Sequence, residues 1–286
     1  MRSSRYAIDN IVVIAIKAVR MCIATCFMYS VTASAGFCAD EKTGIAGEFG
    51  RIAGHLTSES SDIITTPFSS KDGNIFVTLG IAGAIGLTYS FDEDIRANVH
   101  KSDSRTTSKA ADIVSIAGDP FLHLGAAALV YGYGVADDSA QWKSRGEMLG
   151  EALILADATT LIIKQAAGRG RPHVAQKSTD FKPFGFKSDY DSFPSMHTAS
   201  SFALASVMAS TSESMISRIG YYSAATLVGA SRLYKNKHWA SDVLLGAAIG
   251  ELCGRVVTNY HANKASTRIV PYAGTSNAGI LLVKSW

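Results

Sequence analysis

Two histidines, three fixed cations and one aspartate, in three short blocks of the C-terminal half, are the residues of this 286-residue chain best suited to chemistry. In the first block Lys164 is followed seven residues later by Arg171 and then Pro172, with Gly168 and Gly170 between them. Arginine offers a planar fork of donors that matches phosphoryl oxygens, lysine a compact charge, and the glycines let the backbone turn. In the second block Pro194, Ser195, Met196 and His197 precede an apolar run and read as a helix N-terminus. Free backbone N–H groups and the positive end of the dipole make such a place an anion site, to which Ser195 adds a hydroxyl. His197 beside that anion can hold a proton for a leaving alcohol, since an unperturbed imidazole titrates near pH ~6.5. The third block is Ser231, Arg232, His238 and Asp242. His238 and Asp242 are four apart and share a helix face, so the carboxylate can take the proton of one ring nitrogen and leave the other as nucleophile or ligand. Each block alone has a bland counterpart: a basic helix end before proline, a capping serine with a surface histidine, an i, i+4 surface pair. Only their combination singles out an oxyanion pocket.

Together the blocks specify ten side chains in order, and they resemble the three-part signature of the type 2 phosphatidic acid phosphatase and vanadium haloperoxidase superfamily. The match by motif runs from Lys164 to Asp242, and the helical pattern from about Ile75 to Ala262 resembles the family's core. The resemblance implies that His238 attacks phosphorus to form a phosphohistidine, that Asp242 holds its ring in the reactive tautomer, and that His197 protonates the leaving oxygen. Lys164, Arg171 and Arg232, with Ser195 and the amide of Met196, would stabilise charge on the equatorial oxygens, while Pro172, Pro194 and Ser231 shape the site. It implies neither a metal nor an organic cofactor, and a phosphorylated small molecule or lipid as substrate. Three readings follow. One is a phosphatase for phosphate monoesters or diphosphates, lipid-linked ones favoured; one is a haloperoxidase carrying vanadate in the same pocket; one is a non-catalytic envelope binding or structural protein. The family usually has glycine where this chain has Met196, which predicts a distorted loop if that residue takes positive φ and a narrowed pocket if it does not.

The elements that must position these residues are helices. Apolar residues recur with helical spacing and little strict alternation, predicting helices near Ile75–Tyr89, Thr107–Ala117, Leu122–Val135, Trp142–Ala167, Thr198–Thr211, Ser214–Leu233 and His238–Ala262. The expected fold is an all-α bundle over 73–265, preceded by a polar lead-in of short helices and loops over 40–72. A C-terminal β-hairpin is expected over 266–286, where two apolar stretches flank Gly274, Thr275, Ser276 and Asn277. Among the runs that would form the bundle, Gly73 to Phe91 has 19 uncharged residues and the others are shorter, so a compact or membrane-attached bundle is expected ahead of full membrane spans.

Composition narrows the partners. A net charge of +3 without any lysine or arginine block disfavours nucleic acid. Four cysteines without repeated pairs give no zinc framework. Arg2, Arg5, Lys17 and Arg20 precede an uncharged stretch from Met21 to Ala39, the layout of an export signal over 1–39. Small residues at Ala33 and Ala35, or Ala39 before Asp40, suit cleavage, and an uncleaved anchor is the alternative. An exported, periplasmic or cell-envelope location is expected from either, soluble or membrane-associated, with an integral membrane protein as the alternative, and the earlier cut leaves a Cys38–Cys253 bridge open.

Overall fold

The computed structural model describes residues 45–70, 73–101, 105–187, 189–273 and 278–284. The export signal or anchor expected at 1–39, with Cys38, lies outside the described residues, and Cys253 is buried. The chain forms two compact units, Met1–Ser61 and Asp62–Trp286. A 21-residue helix, α1 (Ile45–Thr65), begins in the first of them. This replaces the short helices and loops expected of the lead-in. Glycine costs a helix about 1 kcal/mol per residue, yet here Gly50 and Gly54 are tolerated within one continuous face on which His55, Glu59 and Ile63 are buried a turn apart.

The second unit carries the bundle: α2 (Asn74–Ser90), α3 (Asp92–His100), α4 (Arg105–Ala117), α5 (Pro120–Ala136), α6 (Ala140–Ala167), α7 (Met196–Ser210), α8 (Met215–Tyr234) and α9 (Ala240–Ser266). The all-α expectation holds, and seven of these helices fall where hydrophobic spacing placed them. The short α3 was not foreseen, because its first turn is Asp92, Glu93 and Asp94. Three acidic residues look like a loop in a hydropathy reading, but they complement the positive end of a helix dipole. The C-terminal β-hairpin expected over 266–286 is not supported as part of this helical fold.

The core is built where α6, α7 and α9 meet, with α5 against α6, α8 against α7 and α4 against α8. Ala152, Leu153, Leu155 and Ala156 of α6 are fully or nearly fully buried, as are Ala199, Ala203 and Val207 of α7 and Cys253 and Val257 of α9. Small residues bring the axes close. A Cβ on Gly246 would lie 2.5 Å from the Ser195 carbonyl oxygen, and one on Gly250 2.2 Å from that of Ala199, so α9 runs against the backbone of α7. Start signals match the observed caps: Asp119 accepts from the backbone N–H groups of Phe121 and Leu122 at 2.9 and 3.3 Å ahead of Pro120. Among the described residues no single helix is long and apolar enough to cross a membrane. Two bent pairs reach that length and composition together, α2 with α3 at 61° and the greater part of α4 with α5 at 47°.

Candidate active site

Helix α6 delivers the first cation. Lys164 sits in its last turn, buried, and donates from Nζ to the backbone carbonyl of Asp191 at 2.5 Å. The helix ends on Gly168, whose φ of 59° is left-handed and whose missing Cβ would lie 2.0 Å from the Lys182 carbonyl oxygen. Only glycine satisfies both conditions. The chain then runs as a long loop to Ser195, tied to itself by backbone bonds from Gly170 N to Asp180 O (2.8 Å), Arg171 N to Asp189 O (2.8 Å) and Ser192 N to Arg169 O (2.9 Å). Arg171 is oriented by Asp191, to which Nε and Nη2 donate at 2.7 and 2.9 Å. That pairing uses two of the five guanidinium N–H donors and fixes the plane in which the others point. Pro172 and Pro194 are buried supports of this loop.

The loop ends at the N-terminus of α7. Ser195 is the buried N-cap residue, its amide donating to the Asp242 carbonyl at 2.9 Å and its hydroxyl accepting from Thr198 at 2.9 Å. Met196 opens the helix and is not among the described non-glycine residues of positive φ, so it introduces no backbone strain. Of the two outcomes expected for a side chain here, the structure shows the unstrained one. His197 follows half-buried, with Nε2 4.0 Å from Oδ2 of Asp119 at the start of α5. Arg232 closes the site from the last turn of α8; it donates to the Ser115 hydroxyl, while its buried Nε has no acceptor among the described residues. Ser231 beside it is buried and bonds back to Val228 O at 2.7 Å.

His238 is buried just before α9, and its Nδ1 lies 2.7 Å from the Ser192 carbonyl. A carbonyl only accepts, so Nδ1 carries the proton and Nε2 keeps its lone pair. This corrects the expected direct pairing with Asp242, whose Oδ2 is 3.7 Å from Nδ1 and is engaged by the Ser192 hydroxyl and, at 2.8 Å, by Trp239 N. Asp242 therefore acts through Ser192, holding the residue whose carbonyl sets the tautomer. Sequence reasoning missed the group that anchors Asp242 in turn. Arg169, fully buried, donates to Asp242 Oδ1 at 2.5 Å, Asp92 Oδ2 at 2.7 Å, Ser241 Oγ at 2.8 Å and Ser178 O at 2.9 Å. Its place inside the first block was the available signal; nothing in the spacing said that a charged side chain there turns inward. Burial pushes the Asp242 carboxyl up, and Arg169 is the foremost group pulling it back.

The electrostatics show the three blocks converging. His197 is lowered to about 2, by burial first and then by the fields of Arg232, His238, Lys164 and Arg171. Burial likewise drives His238 well below the ordinary imidazole value, with Lys164, Arg171 and Arg232 adding to it. Arg232 itself is lowered to about 10 by burial and by Arg171. Uncompensated positive charge of this kind is what a multiply charged anion relieves.

Residues 148–266 match the family described as the PAP2 superfamily. A 68-residue stretch is 44% identical to a lipid A 1-phosphatase of Porphyromonas gingivalis, covering 23% of this chain and only 15% of that protein's length. Among solved structures, LpxE of Aquifex aeolicus aligns with a TM-score of 0.46 at 21% identity over 59% of this chain and 96% of that one. A transmembrane PAP2 type phosphatidylglycerolphosphate phosphatase of Bacillus subtilis aligns with a TM-score of 0.48 at 22% identity, over 66% and 94% of the two chains. The family match takes in every residue of the three blocks and stops at 266, so the C-terminal hairpin expected over 266–286 gains no support from it.

Proposed function

We infer that this chain is a phosphatase of the PAP2 superfamily, hydrolysing a phosphate ester or diphosphate through a histidine nucleophile. The observation that carries the reading is the convergence of Lys164, Arg171 and Arg232 on two imidazoles that burial, together with the fields of those cations, keeps neutral. The Nε2 lone pair of His238 attacks phosphorus, the bond from phosphorus to the ester oxygen breaks, and that oxygen takes a proton from His197. A phosphate dianion brought into the cluster raises the His197 pKa from its depressed value, toward the protonated form that the leaving oxygen needs. Water then attacks the phosphohistidine, giving its proton to His197, and the P–N bond breaks to release phosphate. The three cations and the free amides at the start of α7 face the charge that builds on the equatorial oxygens, the role a divalent ion plays in other phosphoryl-transfer sites.

A lipid-borne phosphate in the cell envelope is the substrate class we assign. Its supports are the lipid A 1-phosphatase relative and the apolar side chains that α2 and α5 turn outward, such as Phe76 at 75% exposure and Leu129 at 77%. Purified protein assayed on p-nitrophenyl phosphate in excess EDTA tests the chemistry. Release of phosphate is expected and should be abolished by His238→Ala. Bromide oxidation with vanadate and peroxide, in the absence of phosphatase activity, would replace this reading by the haloperoxidase one.

A further inference from the structure

Helix α6 carries one charged side chain between Glu151 and Lys164, and that residue, Asp157, belongs to none of the three blocks. Both of its carboxyl oxygens are buried and have no hydrogen-bond partner among the described residues. An ionised carboxylate buried without a donor or a cation is too costly to keep, so such a group holds its proton. Burial first, and then the charge of Asp119, push this carboxyl well above the ordinary carboxylate range.

Helix register fixes where that proton is held. A Cβ on Gly146 would lie 2.3 Å from the Tyr131 amide nitrogen, and one on Gly134 2.2 Å from that of Lys143, so α5 and α6 run antiparallel in backbone contact. Eleven residues on from Gly146 and eleven back from Tyr131, Asp157 comes opposite Pro120, the first residue of α5. Along the seam of α6 with α7, Arg145 donates to the Thr211 carbonyl at 3.1 Å. Twelve residues on and twelve back, Asp157 comes level with Ala199, two residues past His197. The same three helices are tied at this height by His123 of α5. Its Nε2 donates to the Ala117 carbonyl at 2.9 Å, which leaves Nδ1 to accept from the Ser200 hydroxyl of α7 at 3.1 Å. Asp119, next to Pro120, joins Asp157 to the acid histidine: its Oδ1 caps α5, and its Oδ2 is 4.0 Å from His197 Nε2. His123 and His197 are the only imidazole or charged side chains of α5 and α7. On α9, which also packs against α6, Asp242 is held by Arg169, Glu251 by Arg255 and Tyr222, and His261 by Glu151.

We propose that Asp157 is the proton store of the acid histidine, exchanging its carboxylic proton with His197 through Asp119. The assignment rests on the phosphatase reading and deepens it, because His197 is neutral before substrate enters and must be charged when the ester bond breaks. As the phosphate dianion arrives, the O–H of Asp157 gives its proton to Asp119, and Asp119 gives one to Nε2 of His197 across a gap that a single bridging water closes. The other ring nitrogen then gives its proton to the leaving oxygen. When water attacks the phosphohistidine, its proton goes to that nitrogen, the Nε2 proton returns to Asp119 and Asp157, and the relay ends the cycle with the protons it began with. Asp157 touches no substrate and acts only through Asp119.

The test uses two esters of similar size that differ in their need for a proton: phenyl phosphate, whose phenolate is a poor leaving group, and p-nitrophenyl phosphate, whose phenolate leaves far more readily. Asp157→Asn keeps the shape and neutrality of a protonated carboxyl and removes its acid proton, so a merely structural role leaves the ratio of the two kcat/KM values where it was. That ratio is expected to shift at least tenfold against phenyl phosphate. Asp119→Asn, which retains an oxygen to cap α5, should shift it in the same direction and carries the comparison if the first variant does not fold. Infrared difference spectra of the full chain against Asp157→Asn at neutral pH read the held proton separately, as a carboxylic acid carbonyl band that moves in D2O and is missing from the variant. An unchanged ester ratio, or the absence of that band from the unaltered chain, overturns the proton store and leaves the phosphatase standing. Failure of the unaltered chain to hydrolyse either ester removes the phosphatase and the relay together.

Discussion

At the scale of single residues, the site depends on charges that would be intolerable without their partners. Arg169 stands between two fully buried carboxylates, Asp92 and Asp242, with no exposed side-chain surface on any of the three. Taking one member from such a set leaves a buried charge uncompensated, at a cost of about 3–5 kcal/mol. Arg169→Met is therefore expected to lower unfolding free energy in urea by that amount. It should also cut kcat at least a hundredfold, since Asp242 no longer holds Ser192 against His238; stability within 1 kcal/mol of the parent would refute the role. The histidines make a second prediction. Both His197 and His238 are depressed in the folded chain, whereas in the unfolded chain they titrate near pH ~6.5. Below that pH the unfolded state binds the extra protons, so their stabilisation is complete above it and is lost as pH falls. Thermal midpoints should drop between pH 7 and pH 5, and His238→Asn should flatten the drop by about one proton's worth of slope. An identical slope in the variant would show that His238 is not held neutral. Lys164, Arg171, His197, Arg232, His238 and Asp242 were legible in sequence because oxyanion chemistry restricts their types. Arg169 and Asp191 were not, since orienting a functional side chain leaves no mark on spacing.

At the scale of elements, the positioning device is the approach of α9 to α7. Gly246, Gly250 and Gly254 recur every four residues, and a Cβ on the last would lie 2.4 Å from the Ser206 Cβ. Backbone proximity along this seam is what lets the Ser195 amide reach the Asp242 carbonyl at 2.9 Å and so joins the second block to the third. Gly250→Ala is expected to force the helices apart, costing about 1–3 kcal/mol, as overpacking does, and lowering kcat through the displaced Ser195. Gly150 on α6 has nothing within 4 Å of an added Cβ. Gly150→Ala should instead stabilise the fold by up to ~1 kcal/mol through helix propensity alone. Equal effects of the two substitutions on a chemical melt would dismiss close packing as the reason for the glycine seam. Helix existence was legible because α2 and α4 to α9 carry continuous apolar spacing. The unity of α1 was hidden by its glycines and the existence of α3 by its acidic start. The course of the loop between Gly168 and Ser195 was hidden for a different reason: its order comes from backbone hydrogen bonds, which any sequence can make.

At the scale of the whole molecule, the bundle has an apolar exterior as well as an apolar core. Phe76 and Leu79 on α2, Leu129 and Val135 on α5, and Ile216 and Ile219 on α8 are each more than half exposed. Soluble monomers rarely leave contiguous apolar surface of more than a few hundred Å² open to water, whereas a membrane-facing protein requires it. The bend of 47° between α4 and α5 occurs beside Asp119, so an apolar elbow stands directly next to the acid histidine. Placing a carboxylate at Phe76 and another at Leu129 should weaken membrane attachment, because each acidic group costs about 2.5–3.5 kcal/mol at insertion depth. The full chain is expected to stay with membranes through a carbonate wash and to float with phospholipid vesicles. The double variant Phe76→Glu, Leu129→Glu should shift toward the supernatant while hydrolysing p-nitrophenyl phosphate at the parent rate, both positions lying outside the cation cluster. Complete release of the unaltered protein by carbonate, with no vesicle flotation, would assign the apolar exterior to protein contacts and move the substrate class from the bilayer to soluble esters.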